Sequence, residues 1–101
     1  AKKIVGGSRR FDAVIFTEDL TAVYAMNALQ NMGYRIPEDV AVVGCNNSEY
    51  SRISNPPLTT INNKGELLSE LSVQLLENLM TGKSEKASLI IRPELAVRQT
   101  T

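Results

Sequence analysis

Val40-Ala41-Val42-Val43-Gly44 is an unbroken apolar run that ends in glycine, and its reading decides the fold class. A strand that is apolar at every position, rather than at every second one, is covered on both faces, as in a parallel sheet. Upstream, Phe11-Asp12-Ala13-Val14-Ile15-Phe16 is a second short run rich in β-formers. Between the two, Ala22, Ala25, Met26, Leu29 and Met32 recur at helical spacing and predict a helix from Asp19 to Met32 with one apolar face. Leu20, Val23 and Tyr24 make a second, narrower face, so this helix is expected to bury two sides. Asp19 is a candidate N-cap, and Gly33 sits where a left-handed residue closes a helix. Pro37 then blocks continuation. Strand, helix and strand form a βαβ unit, expected to be right-handed. The fold class is therefore α/β, built on a βαβ parallel sheet.

Working outward, a polar loop from Cys45 to Asn55 ends at Pro56-Pro57, and Leu58-Thr59-Thr60-Ile61 reads as a third strand. A second helix is expected from Lys64 to Thr81, with Leu68, Leu71, Leu75, Leu76 and Leu79 on one stripe and Gly82 ending it. Leu89-Ile90-Ile91 and Leu95-Ala96-Val97-Arg98 are two strand candidates separated by Pro93. There is no internal repeat and no low-complexity segment. Ala1-Lys2-Lys3-Ile4-Val5 reads as the last turn of a helix that begins upstream, so the chain is expected to be a fragment of a longer protein.

Composition bounds the chemistry. At 101 residues the chain is one domain or a piece of one, and folding would bury only about 60–65% of its unfolded surface. Eleven basic and eleven acidic residues cancel, which leaves little non-specific attraction for nucleic acid phosphates. The chain by itself is not expected to hold DNA. It contains no histidine, which removes the commonest general base, the usual nucleophile pairs and most zinc sites. The lone Cys45 forms no internal disulfide, which fits a reducing compartment. No apolar run approaches the ~20 residues that span a bilayer.

Several stretches together resemble the LacI–GalR family of bacterial repressors. They are Phe11-Asp12-Ala13-Val14-Ile15-Phe16-Thr17-Glu18-Asp19, Ile36-Pro37-Glu38-Asp39-Val40 running into Val42-Val43-Gly44, Asn55-Pro56-Pro57-Leu58-Thr59-Thr60-Ile61, and Arg92-Pro93-Glu94-Leu95-Ala96-Val97-Arg98-Gln99-Thr100-Thr101. The match runs over nearly the whole chain. The resemblance implies part of a periplasmic-binding-protein-like type I core, with two α/β subdomains and a small-molecule site in the cleft between them. It assigns residues 11–61 and 95–101 to the C-terminal subdomain and 62–94 to the N-terminal one. It further implies a homodimer, and operator binding through an N-terminal helix-turn-helix headpiece absent from this chain.

Three effector-binding candidates follow. Glu18 stands at the mouth of the first strand, where open α/β sheets place ligands, and the resembled family often carries an Asn there. Its alternative role is an acidic residue favoured by the helix dipole. Asn46 ends the second strand, where the family usually has Asp; Gly44-Cys45-Asn46-Asn47 replaces the commoner aromatic-Asp-Asp pattern. Asn also suits turns through side-chain bonds to its own backbone. Asn63 corresponds to a cleft-facing position after the crossover, but Asn63-Lys64-Gly65-Glu66 also fits an N-cap with an acidic residue three positions on. Cys45 reads as an inert thiol, because no base is near it. The resemblance places the dimer contact at Leu20, Val23, Tyr24 and Asn27 with Tyr50, Arg52, Ile53 and Ser54.

The leading expectation is the effector-binding and dimerising core of a cytoplasmic repressor that senses a sugar-like or amine-bearing small molecule, with no cofactor, metal or membrane partner. An extracytoplasmic sugar-binding protein of the same fold is the alternative. A doubly wound enzyme is disfavoured by the missing histidines and the lack of a Gly-rich phosphate loop.

Overall fold

The computed structural model describes residues 11–83 and 88–101. The reading of Ala1 to Val5 as a helix end lies outside the described residues. A four-stranded sheet runs in the order β1 (Ala13–Ile15), β2 (Ala41–Cys45), β3 (Thr59–Asn62), β4 (Glu94–Ala96). The first three strands are parallel, with Ile15 opposite Val43 and Val43 opposite Thr59, whereas β4 returns antiparallel with Asn62 opposite Glu94. This confirms the α/β class and the parallel βαβ unit.

Helix α1 (Asp19–Asn31) links β1 to β2 and supplies the core. Ala22, Met26 and Leu29 are buried against Ile36, Val40, Val42 and Leu58, with Val14, Phe16, Val23 and Tyr34 packed around them. Full burial of side chains the size of Met26 and Leu29 is worth about 1.5–3 kcal/mol each, so this one helix face holds the sheet. Gly33 takes φ +92, a value that glycine adopts without steric cost, and closes the helix as expected. At the Ile36-Pro37-Glu38-Asp39 turn, the Asp39 carboxylate accepts the Arg35 backbone N–H at 2.7 Å and its guanidinium at 3.1 Å. Those bonds with Asp39 raise the Arg35 pKa above its ordinary value.

Several expectations are corrected. The helix does not bury two sides, and Met32 is exposed. Only Val23 of the narrower face turns inward, leaving Leu20 and Tyr24 in solvent. The N-cap is Glu18, not Asp19, and Glu18 makes no side-chain cap bond. The polar stretch after β2 contains a short helix, α2 (Glu49–Ile53), too brief to show a hydrophobic period. Leu89-Ile90-Ile91 forms no strand. Helix α3 (Gly65–Met80) begins after Lys64, whose φ of 54 is left-handed, so the cap is not Asn63.

No residue of α3 is buried, and Val73, Leu76 and Met80 are strongly exposed. The radius of gyration is 18.0 Å, well above the ~13 Å of a compact domain of this length. The long helix thus stands away from the small core. Among the described residues, no helix is long and apolar enough to cross a membrane.

The C-terminal segment seals the sheet through hydroxyls. Thr100 Oγ1 donates to the Val42 carbonyl at 2.6 Å and accepts the Thr59 N–H at 2.9 Å. The Thr100 carbonyl accepts the Val42 N–H at 2.9 Å. Thr59, Thr60 and Thr100 are fully buried, and among the described residues every buried side-chain polar atom has a partner. Such satisfaction is what makes burial of polar groups tolerable.

Candidate functional site

The C-terminal ends of β1, β2 and β3 share one edge of the sheet, because the three strands are parallel. Glu18, Asn46 and Asn63 all follow these strand ends. Asn46 and Asn63 meet there. The Asn63 Nδ2 donates to Asn46 Oδ1 at 2.8 Å and lies 3.3 Å from Cys45 Sγ. The Asn46 amide nitrogen and the Asn63 amide oxygen have no hydrogen-bond partner among the described residues, so the pair offers a donor and an acceptor side by side. Hydroxyl groups, which donate and accept, match such an array.

Beside this pair is an open recess of about 460 Å³, walled by Asn46, Asn47 and Arg52 on one side and by Asn62, Lys64, Gly65, Glu66 and Leu67 on the other. Its lining is polar and carries both signs of charge. The Lys64 ammonium is tied to Glu94 at 3.1 Å, which pins the start of α3 to β4. The Lys64 N–H is satisfied by Asn62 Oδ1 at 2.9 Å. Glu18 is exposed at the neighbouring strand end and does not line the recess. Arg52, expected at a dimer contact, also lines the recess.

Asp19 has a role that cap reasoning missed. It is 2% exposed, and its carboxylate accepts the Ser48 N–H at 2.6 Å, the Ser48 hydroxyl at 2.7 Å and the Thr60 hydroxyl at 2.6 Å. Room for it exists because residue 44 is glycine; a Cβ there would stand 2.3 Å from Asp19 Oδ1 and 2.7 Å from Leu58 Cδ2. Arg98 was also missed as a functional group. Its guanidinium donates to Asn47 Oδ1 at 2.7 Å, the Leu58 carbonyl at 2.9 Å and Ser51 Oγ at 3.1 Å. One side chain from the C-terminal segment thereby ties the β2–α2 turn, α2 and the entry to β3. Planar guanidinium suits such multiple bonding and lysine does not. Among the described residues no cluster of three metal-ligating side chains exists.

Of the residues expected at the dimer contact, Leu20, Tyr24, Tyr50 and Ile53 are exposed, Tyr24 by 67% and Ile53 by 71%. Asn27 is exposed on the same helix as Tyr24, and Ser54 is half-buried, its hydroxyl donating to the Pro56 carbonyl at 3.0 Å.

Comparison with known proteins agrees with this architecture. The family model of the periplasmic binding protein-like domain matches residues 2–101. The transcriptional regulator CelR of Thermobifida fusca is 37% identical over 90 residues, covering 88% of this chain and 26% of the relative. The HTH-type transcriptional repressor PurR of Vibrio vulnificus is 37% identical over 101 residues, covering 99% of this chain and 30% of the relative. Among solved structures, the CelR–cellobiose complex superposes with a TM-score of 0.83 at 35% identity, over 89% of this chain and 28% of that one. The Lac repressor dimer bound to operator and the anti-inducer ONPF gives 0.83 at 36% identity, over 89% and 32%. The chain thus spans about a quarter to a third of the relatives it matches. By sequence, fold and domain model alike, it belongs to the periplasmic-binding-protein-like effector-binding region of the LacI family of transcriptional regulators.

Proposed function

We propose that this chain is the C-terminal part of the sensing core of a LacI-type repressor, in which a hydroxyl-rich small molecule is held at the Asn46–Asn63 edge. The observation that carries the reading is the amide pair at 2.8 Å beside a polar recess at the strand ends, where ligands of open α/β sheets collect. A sugar is favoured because its hydroxyls match a mixed donor and acceptor surface, and because one similar regulator has been solved with cellobiose. Glu18, on the adjacent strand end, contributes the carboxylate that the amide pair lacks, and would hold a hydroxyl or amine of the bound molecule with a charge-assisted bond.

Residues 62–94 leave the sheet after β3 and return at β4, with Asn62 opposite Glu94, and in this reading they pack with a second subdomain outside the chain. The intact protein binds operator DNA through a headpiece, also outside the chain, works in the cytoplasm and performs no catalysis. Leu20, Tyr24, Tyr50 and Ile53 form the self-association face, with Val23, Asn27, Arg52 and Ser54 beside it. The named relatives are transcriptional regulators, which favours this reading over an extracytoplasmic binding protein.

Calorimetry on the intact protein tests the site, using a set of neutral mono- and disaccharides that includes cellobiose. Glu18→Gln and Asn46→Ala should each weaken the sugar that binds by about 1.5–3 kcal/mol, or roughly tenfold to a hundredfold. Equal affinity for parent and both variants would refute the assignment.

A further inference from the structure

The two residues that carry the recess edge have an unusual backbone. Asn46 and Asn47 both have positive φ, 94 and 49, and neither is glycine. Asparagine tolerates this region better than most residues, yet two in succession persist only where their surroundings over-determine them. The surroundings here form a continuous chain of bonds. Asn47 N–H donates to Thr60 Oγ1 at 3.2 Å, and Thr60 Oγ1 donates on to the buried Asp19 carboxylate at 2.6 Å. Ser48, the next residue, gives both its N–H and its hydroxyl to the other oxygen of the same carboxylate. From the opposite side the Arg98 guanidinium holds the Asn47 amide oxygen at 2.7 Å. The turn is thus clamped by an anion beneath it and a cation beside it. Neither Thr60, Asp19 nor Arg98 lines the recess.

We propose that Asp19, Thr60 and Arg98 are positioning residues for effector binding: they lock the Asn46–Asn47 turn so that the Asn46 amide meets Asn63 and faces the recess. The proposal rests on the recess being the effector site, but its mechanical half stands apart from that reading. Each bond has one direction only. The carboxylate can only accept, which forces the Thr60 proton toward Asp19 and leaves the Thr60 oxygen lone pair for the Asn47 N–H. The guanidinium can only donate, which fixes the Asn47 amide with its oxygen toward Arg98 and its nitrogen away. The orientation of the Asn47 amide, and the backbone turn that carries Asn46, therefore follow from charges that do not line the recess.

The experiment uses the intact protein with Thr60→Val, Thr60→Ser and Arg98→Lys. In ligand-free protein, amide exchange at Asn47 and Ser48 should accelerate at least tenfold in Thr60→Val and Arg98→Lys, with α1 and β2 as protected as in the parent. Thr60→Ser keeps the hydroxyl and should restore parental exchange. Calorimetry with the sugars named above should show about tenfold weaker binding for Thr60→Val and Arg98→Lys, and near-parental binding for Thr60→Ser. Unchanged exchange in both deficient variants, or unchanged affinity in both, would overturn the proposal. Should Thr60→Val fail to fold, Arg98→Lys decides by the same readouts. A parent that binds none of the sugars would refute the effector reading, while the exchange data would still decide whether the clamp exists.

Discussion

Replacing Thr100 with Val removes one hydroxyl and keeps the shape of the side chain. That hydroxyl is fully buried and joins two strands, donating to the Val42 carbonyl at 2.6 Å and accepting the Thr59 N–H at 2.9 Å. In Thr100→Val the Thr59 N–H is left in the interior with no acceptor, and an unsatisfied buried donor costs about 1–3 kcal/mol. The Val42 carbonyl loses its bond from the Thr100 hydroxyl as well, adding about 0.5–1.5 kcal/mol. Together these come to about 1.5–4.5 kcal/mol. Thr100→Ser is the control, because it keeps both bonds and deletes one buried methyl, at a cost of about 1 kcal/mol. Urea unfolding of the intact protein, followed by a probe in this sheet, would measure both. Thr100→Val should be the less stable variant by about 0.5–3.5 kcal/mol. Equal stabilities, or a costlier serine, would refute the argument that the C-terminal hydroxyls, rather than packing, fasten this sheet.

Other perturbations follow from the same geometry. Gly44→Ala places a Cβ 2.3 Å from Asp19 Oδ1 and 2.7 Å from Leu58 Cδ2, so it should destabilise by about 1–3 kcal/mol in urea unfolding and weaken sugar binding along with it. Leu58→Ala empties a fully buried site in the core and should cost about 2–5 kcal/mol in the same assay. Tyr24→Asp and Ile53→Asp lie on exposed positions; each should leave folding within ~0.5 kcal/mol of the parent while shifting the sedimentation profile of the intact protein toward monomer.

Much of the fold was legible because strong local signals agreed. The unbroken Val40–Gly44 run, the apolar spacing on α1 and the positive φ expected at Gly33 each describe one element, and packing did not override them. The missing pieces depend on information that is not local. Helix α2 has five residues, little more than one turn, and so shows no period. Leu89-Ile90-Ile91 is apolar enough for a strand, but a strand needs a partner edge, and β4 pairs with β3 one segment later. Asp19 followed the N-cap pattern to within one residue. Its true position depends on Gly44, which lies on a strand far along the chain and makes room for the carboxylate. At the site, Asn46 and Asn63 were legible as polar residues after strand ends, whereas Arg98 and Thr60 were visible only as letters of a resembling stretch. Their use becomes clear once β4 brings the C-terminus back across β3.

The Asn46–Asn63 edge is proposed to hold the effector. A crystal structure of the intact protein with its bound small molecule tests this most directly. Ligand hydroxyls are expected within ~3.2 Å of the Asn46 and Asn63 amides, with the Asn46–Asn47 turn unchanged. A ligand seated elsewhere, with no atom in hydrogen-bond reach of either amide, would contradict it.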